Sequence, residues 1–312
     1  MKAAFNRSLA SYCAATAFLA GCAASPATGV TPGLVQQGGA SIARVPAGHS
    51  WMLPAARRSN LLYVSYFYGN EVFAYNYPGG KLVGTLTGIP DAQGMCTAKR
   101  LKGKWWVVAT GSNQVFEFDH GGTSPLATLN VTAGEPASCA VDPTTGNLAV
   151  TMITNDSVVV YNHGSGSPVT YTAPFEPYFS AYDNRGDLFV DGSGQTPLAE
   201  LPTGGTTFEP VAANQTIIFP GGLQWHGNDL AVGDQDTSTI YQFSITGSSA
   251  TLTSTSALTG AGPGDFWIQK KHVIASAGAN VGIWKFPAGG SPQKTISGSF
   301  YGAVDVVMST VK

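Results

Sequence analysis

Short apolar runs recur along the chain at nearly constant spacing. They are Leu62-Tyr63-Val64-Ser65-Tyr66, Trp106-Val107-Val108-Ala109-Thr110, Leu148-Ala149-Val150-Thr151-Met152, Leu188-Phe189-Val190-Asp191-Gly192, Leu230-Ala231-Val232-Gly233-Asp234 and Val273-Ile274-Ala275-Ser276-Ala277. Their centres step by 44, 42, 40, 42 and 43 residues. Their β-branched and aromatic content, without any sustained 3.6-residue period, predicts strands. Each run is followed by a polar turn, a second strand-like segment and a glycine turn: Gly79-Gly80, Gly121-Gly122, Gly164, Gly204-Gly205, Gly247 and Gly289-Gly290. Glycine at these places marks hairpins. A third, Thr-rich segment comes next, and Pro136, Pro177, Pro220 and Pro263 introduce a fourth strand that leads into the following unit.

A unit of four short strands repeated six times cannot bury its apolar faces alone, and neighbouring units must cover them. The prediction is an all-β, six-bladed β-propeller of four-stranded antiparallel blades spanning residues 50–312, with about 44 residues per blade. Two segments, Trp51-Met52-Leu53 and Tyr301-Gly302-Ala303-Val304-Asp305-Val306-Val307, both look like opening strands. The C-terminal one is expected to join the first blade and close the ring, which removes an exposed sheet edge.

The N-terminus predicts an address. Lys2 and Arg7 precede an apolar run from Leu9 to Leu19, too short to span a bilayer and shaped as an export signal. The run ends in Leu19-Ala20-Gly21-Cys22, which resembles the lipobox of bacterial lipoproteins. That resemblance implies a signal peptide over 1–21 and acylation of Cys22. Cleavage at Ala23-Ala24-Ser25, leaving an unanchored periplasmic protein, is the weaker alternative. Residues 22–49, rich in Gly, Ser, Pro and Ala, read as a flexible tether. Ala24 stands where enteric lipoproteins of the inner membrane carry Asp, so the outer membrane is the expected destination.

The unit order, with Cys139-Ala140-Val141-Asp142 followed by Gly146-Asn147-Leu148-Ala149-Val150, resembles the NHL and related six-bladed propellers, including the gluconolactonase group. The resemblance implies the fold over nearly the whole body. It implies little about activity, because those propellers include protein binders, sugar binders and metal-dependent lactonases.

Composition narrows the partners. The chain has 312 residues, 43% apolar and 11% charged, with sixteen Lys plus Arg against eighteen Asp plus Glu. That balance supports a large core and gives no basic excess, which excludes nucleic acid as the main partner. The five histidines show no zinc spacing, and there is no Gly-x-Ser-x-Gly elbow. His120 and His163 read as solvent-facing turn residues.

Carboxylates collect in the loops at one pole, where the fourth strand of a blade passes to the next blade and the second passes to the third. Asp91, Glu135, Glu176 and Asp265 stand in the first kind of loop, and Asp191, Asp234 and Asp236 in the second. As a cluster, Asp91, Glu135, Glu176, Asp234 and Asp236 would hold Ca²⁺ or another divalent cation. As individuals they would cap tight turns, and this second reading is the stronger. Tyr68, Phe175 and Tyr178 lie beside these loops and are candidates for stacking on a ligand. The tryptophans Trp105, Trp106, Trp225, Trp267 and Trp284 are assigned to packing. Cys96 and Cys139 lie 43 residues apart at equivalent places in two blades, and an oxidising envelope favours a disulfide between them.

The function expected from these features is an envelope-anchored binding or scaffolding module for a protein or glycan, attached to the membrane through its lipid. The alternative is a metal-dependent lactonase or esterase-like hydrolase with its site at the channel mouth.

Overall fold

A computed structural model describes residues 49–132, 134–194, 197–298 and 303–311. The export signal, Cys22 and the tether up to residue 48 lie outside the described residues. Among the described residues no helix is long and apolar enough to cross a membrane.

Six sheets follow one another along the chain, each with its strands ordered from the axis outwards. We call the strands of a blade A to D from inside to outside. The A strands are Ala92–Thr97, Pro136–Val141, Pro177–Tyr182, Pro220–His226 and Phe266–Gln269 in blades two to six. In blade one the A position is filled by the C-terminal strand Ala303–Ser309, which pairs antiparallel with Leu61–Tyr66, setting Leu61 opposite Ser309 and Val64 opposite Val306. The ring is therefore closed by joining the last strand to the first blade, as the repeat arithmetic requires.

Trp51–Met52 takes a different place from the opening strand it resembles. It pairs with the outermost strand of blade one, Trp51 opposite Thr85, because the axial position is already occupied. Ser50 Oγ accepts the Thr87 N–H at 3.0 Å and fixes the start of this edge. Blade five also gains an outer strand, Ala212–Ala213, which runs parallel to Ser249–Ala250.

The six apolar runs are the B strands, and both of their faces are buried. In blade one, Leu61 and Tyr63 enter an apolar cluster with blade two, whereas Leu62 and Val64 enter one with blade six. Side chains alternate across a strand, so a strand sandwiched between two blades must be apolar at successive positions. Six such clusters occur, one in each wedge between neighbouring blades. The outer strands are different: Ser165–Thr172 is exposed along nearly its whole length and is made of Ser, Thr and Gly with single apolar residues. Aromatic rings fill the broadest part of the first wedge. Tyr63 stacks on Trp105 with centroids 4.1 Å apart, and its hydroxyl accepts the Gly121 N–H at 2.9 Å.

Near the axis the A strands converge, and two glycines permit it. A Cβ at Gly94 would lie 2.5 Å from Ser138 Cα on the next blade, and one at Gly222 would run into the Asp265 carboxylate.

Candidate functional site

The converging A strands enclose a cavity of about 720 Å³ on the axis, lined by residues from all six blades. It reaches the turns that join strands A and B, through Lys99, Pro143, Asn184, Gly227 and Lys270. That is the pole opposite the loops that carry the carboxylate candidates. The size lies within the range of small-ligand pockets.

Its wall is built by the ends of two neighbouring A strands. Trp225 and His226 end the strand of blade five, and Trp267 and Gln269 end that of blade six; all four are half-buried. Tyr182 faces them from blade four. Trp225 is held by stacking on Phe189, and His226 by an edge contact with Phe286. Trp267 donates its indole N–H to Gln269 Oε1 at 3.2 Å. Gln224 ties the two strands together: its amide donates to Ile268 O at 3.2 Å and its carbonyl accepts the Ile268 N–H. The aromatic surfaces are thus presented on a rigid frame.

At the end of the cavity remote from these turns, Asp265 and Asp305 come from the last and first blades and are hydrogen-bonded to each other. Asp305 also accepts the Met95 N–H of blade two, and Asp265 accepts the Phe266 N–H at 2.8 Å. Burial pushes the Asp265 carboxyl up to about 7. Burial and the neighbouring Asp265 hold Asp305 well above the ordinary carboxylate range. Two buried carboxyls in contact cannot both ionise cheaply, so the pair retains a proton. Asp191 is raised too, first by its own burial and further by Asp265. Its Oδ1 accepts the Phe179 N–H at 3.0 Å. Its Oδ2, and the Ser180 hydroxyl that lines the cavity, have no protein partner among the described residues.

Two of the carboxylates singled out in the sequence, Asp91 and Asp234, are held in turns. Asp91 has φ 49° and its amide donates to Asn70 Oδ1. Asn70, Asn113 and Asp156 also adopt positive φ, the conformation for which Asn and Asp are enriched. Asp234 accepts the N–H groups of Ile218, Phe219 and Asp236. Glu135, Asp156 and Glu176 stand close enough that the first two help burial raise the Glu176 pKa. Among the described residues no three Asp, Glu, His or Cys side chains are grouped to ligate a metal, so Asp91, Glu135, Glu176, Asp234 and Asp236 do not assemble into one cation site.

The candidate aromatics divide. Tyr68 is 58% exposed. Phe175 packs against the wedge between blades three and four, and Tyr178 meets Phe219 edge-on. They do not line the cavity. Trp225 and Trp267, assigned to packing, do pack against wedge clusters, and both are also half-buried residues of the cavity lining. His120 also differs from its turn reading. It bridges Ser309 Oγ at 2.7 Å and Ser59 O at 3.0 Å, clasping the closing strand, and burial lowers its pKa. His163 is exposed in its turn, with φ 49°. Cys96 and Cys139 are joined by a disulfide with Cα atoms 5.6 Å apart, which links blades two and three at the cavity wall.

No protein-family model matches the chain, and no curated protein matches it significantly. Solved structures do resemble it. A chain of the nidogen/laminin complex shares 11% identity at a TM-score of 0.64, covering 81% of this chain and 100% of that one. A protein of unknown function from Bacteroides caccae shares 12% at 0.62, covering 80% and 99%. Streptogramin B lyase shares 13% at 0.52, covering 80% and 74%. At such identities the likeness establishes the propeller fold alone.

Proposed function

We propose that this chain is a binding module of the bacterial envelope, tethered by a lipid on Cys22, that takes a glycan into the axial cavity at the A–B turn pole. The lipid supplies the membrane partner and the outer membrane is the proposed location. The lipobox-like Leu19-Ala20-Gly21-Cys22 supports the anchor. The kinship with NHL-type propellers belongs to the same proposal.

One observation carries the ligand reading: an open cavity of about 720 Å³ presents two half-buried indoles, Trp225 and Trp267, from adjacent strands. Indole faces offer broad contact at little conformational cost, and the apolar faces of sugar rings suit them.

W225A and W267A, singly and together, are expected to weaken glycan binding by at least tenfold for the pair, measured by calorimetry on any oligosaccharide captured from an array. Y68A, on the far pole, is expected to leave the affinity unchanged. Equal affinity in the double indole variant, or loss in Y68A, would place the ligand elsewhere.

A further inference from the structure

The cations of the described body are sorted by pole, whereas carboxylates stand at both. Every described lysine and arginine stands on, or reaches towards, the pole of the A–B and C–D turns. The other pole carries Asp91, Glu135, Asp156, Glu176 and Asp236 with no Lys or Arg among its described residues. A near-neutral net charge of −2 conceals this separation. Oriented charge of this kind sets the local concentration of ionic ligands at each mouth.

The carboxylates near the cavity mouth keep their charge, but their acceptor positions are used by protein donors. Asp142 accepts the Thr144 amide and hydroxyl, each at 2.7 Å. Asp183 and Asp187 pair with Arg185 at 2.9 and 3.1 Å. Asp229 accepts the Thr253 hydroxyl at 2.9 Å. Lys99 and Lys270 line the mouth from blades two and six, flanked by exposed Arg100, Lys102 and Lys271. None of these five makes an ion pair with a described carboxylate. Deeper in, the Ser180 hydroxyl and the Trp225 indole N–H lack protein partners among the described residues, but both atoms are sealed from solvent, so the accessible donors are the cations of the mouth. Lysine, arginine and indole groups donate and cannot accept. The carboxyls at the inner end retain a proton, which reduces the negative potential an anion would meet.

We infer that the ligand of this cavity is an anionic saccharide, one whose carboxylate, sulfate or phosphate group lies between Lys99 and Lys270 while a sugar ring covers Trp225 or Trp267. The inference rests on the proposed glycan reading and adds the charge of the ligand. An anion supplies acceptors to a mouth whose unengaged groups are donors, and the indoles supply the flat apolar surface that a bare inorganic anion would not use.

The test is calorimetry of the lipid-free body with matched oligosaccharides: neutral galacto-oligomers, oligogalacturonates, sulfated oligomers and phosphorylated oligomers of the same length, with an oligoglutamate peptide as a non-sugar anion. At least one anionic series is expected to bind more than tenfold tighter than the neutral one, and the series that does so identifies the anion. K99Q and K270Q are expected to weaken it roughly fivefold each, the scale of one partly screened charge contact. K285Q, at the end of the C strand of blade six, is expected to leave it unchanged, and affinity is expected to fall steeply as salt rises. Equal binding of neutral and anionic oligomers would overturn the charge assignment and leave the glycan reading standing. Binding of oligoglutamate as tight as any saccharide would overturn the saccharide. Binding of no oligomer would sink both.

Discussion

Removal of residues 303–312 is expected to abolish cooperative folding of the whole ring, not to fray one blade. The deleted strand lies on the axis, and Val306, Val307 and Met308 within it are buried. At about 2 kcal/mol for each buried side chain, their loss alone costs about 6 kcal/mol. That is comparable with the entire stability of an ordinary domain, about 5–15 kcal/mol. The deletion also strips hydrogen-bond partners from Leu61–Tyr66, from the Met95 N–H and from His120. Unpaired buried groups of this kind add further cost. Circular dichroism during a urea titration checks the outcome. The full body will show one sigmoidal transition and the truncated body none. A truncated body that unfolds cooperatively at nearly the same urea concentration as the full one would show that closure is dispensable.

The second large effect concerns pH. Asp265 and Asp305 have folded pKa values raised above those of the unfolded chain, so the stability linked to them is fully present below the ordinary carboxylate range. It is lost as pH rises through their folded values. Both shifts come first from burial, so the pair is expected to lower Tm as the pH is raised from acid to neutral. His120 and His226 act in the opposite sense, because burial lowers both. Their contribution is present above the ordinary histidine value and is lost as pH falls. The double variant D265N/D305N keeps those histidines and removes the carboxyl pair. The difference in Tm between wild type and variant is therefore expected to shift against the wild type as pH is raised from about 4 to about 8. Parallel profiles over that range would contradict a buried, proton-sharing pair.

What the sequence made legible follows from local physics repeated along the chain. Val64, Val108, Val150, Val190 and Val232 mark strands buried on both faces, and a run that is apolar at successive positions needs no long-range knowledge to be recognised. The disulfide was legible only in part: the 43-residue spacing put Cys96 and Cys139 in adjacent A strands, but they share one wedge because Cys96 lies opposite Trp106 and Cys139 opposite Val150, on opposite faces of their blades, a difference of phase that the spacing does not show. Ring closure was legible as a count of strands. The role of Trp51–Met52 was not, because a two-residue apolar segment carries no sign of whether it lies on the axis or at the rim.

The site was harder to read, for a geometric reason. Trp225 and Trp267 share the pattern of any wedge aromatic and do pack in wedges, so nothing in a local window marks them as cavity-lining. The contact between Asp265 and Asp305 depends on the last and first blades meeting, a relation absent from any local window. Of the loop carboxylates, Asp91 takes a left-handed turn position and Asp234 caps the amides of a turn, both through chemistry that acts over short stretches of chain. The segregation of cations to one pole was present in the sequence, but it becomes visible only when each lysine is assigned to a turn of known direction.

Hydrogen exchange, read peptide by peptide with and without a saturating oligosaccharide, tests the central claim most directly. The account predicts slowed exchange in the A–B turns and strand ends around Lys99, Trp225, His226, Trp267 and Lys270, with no change around Asp91, Glu135, Glu176 and Asp236. Protection confined to that second set would contradict it and move the functional face to the opposite pole.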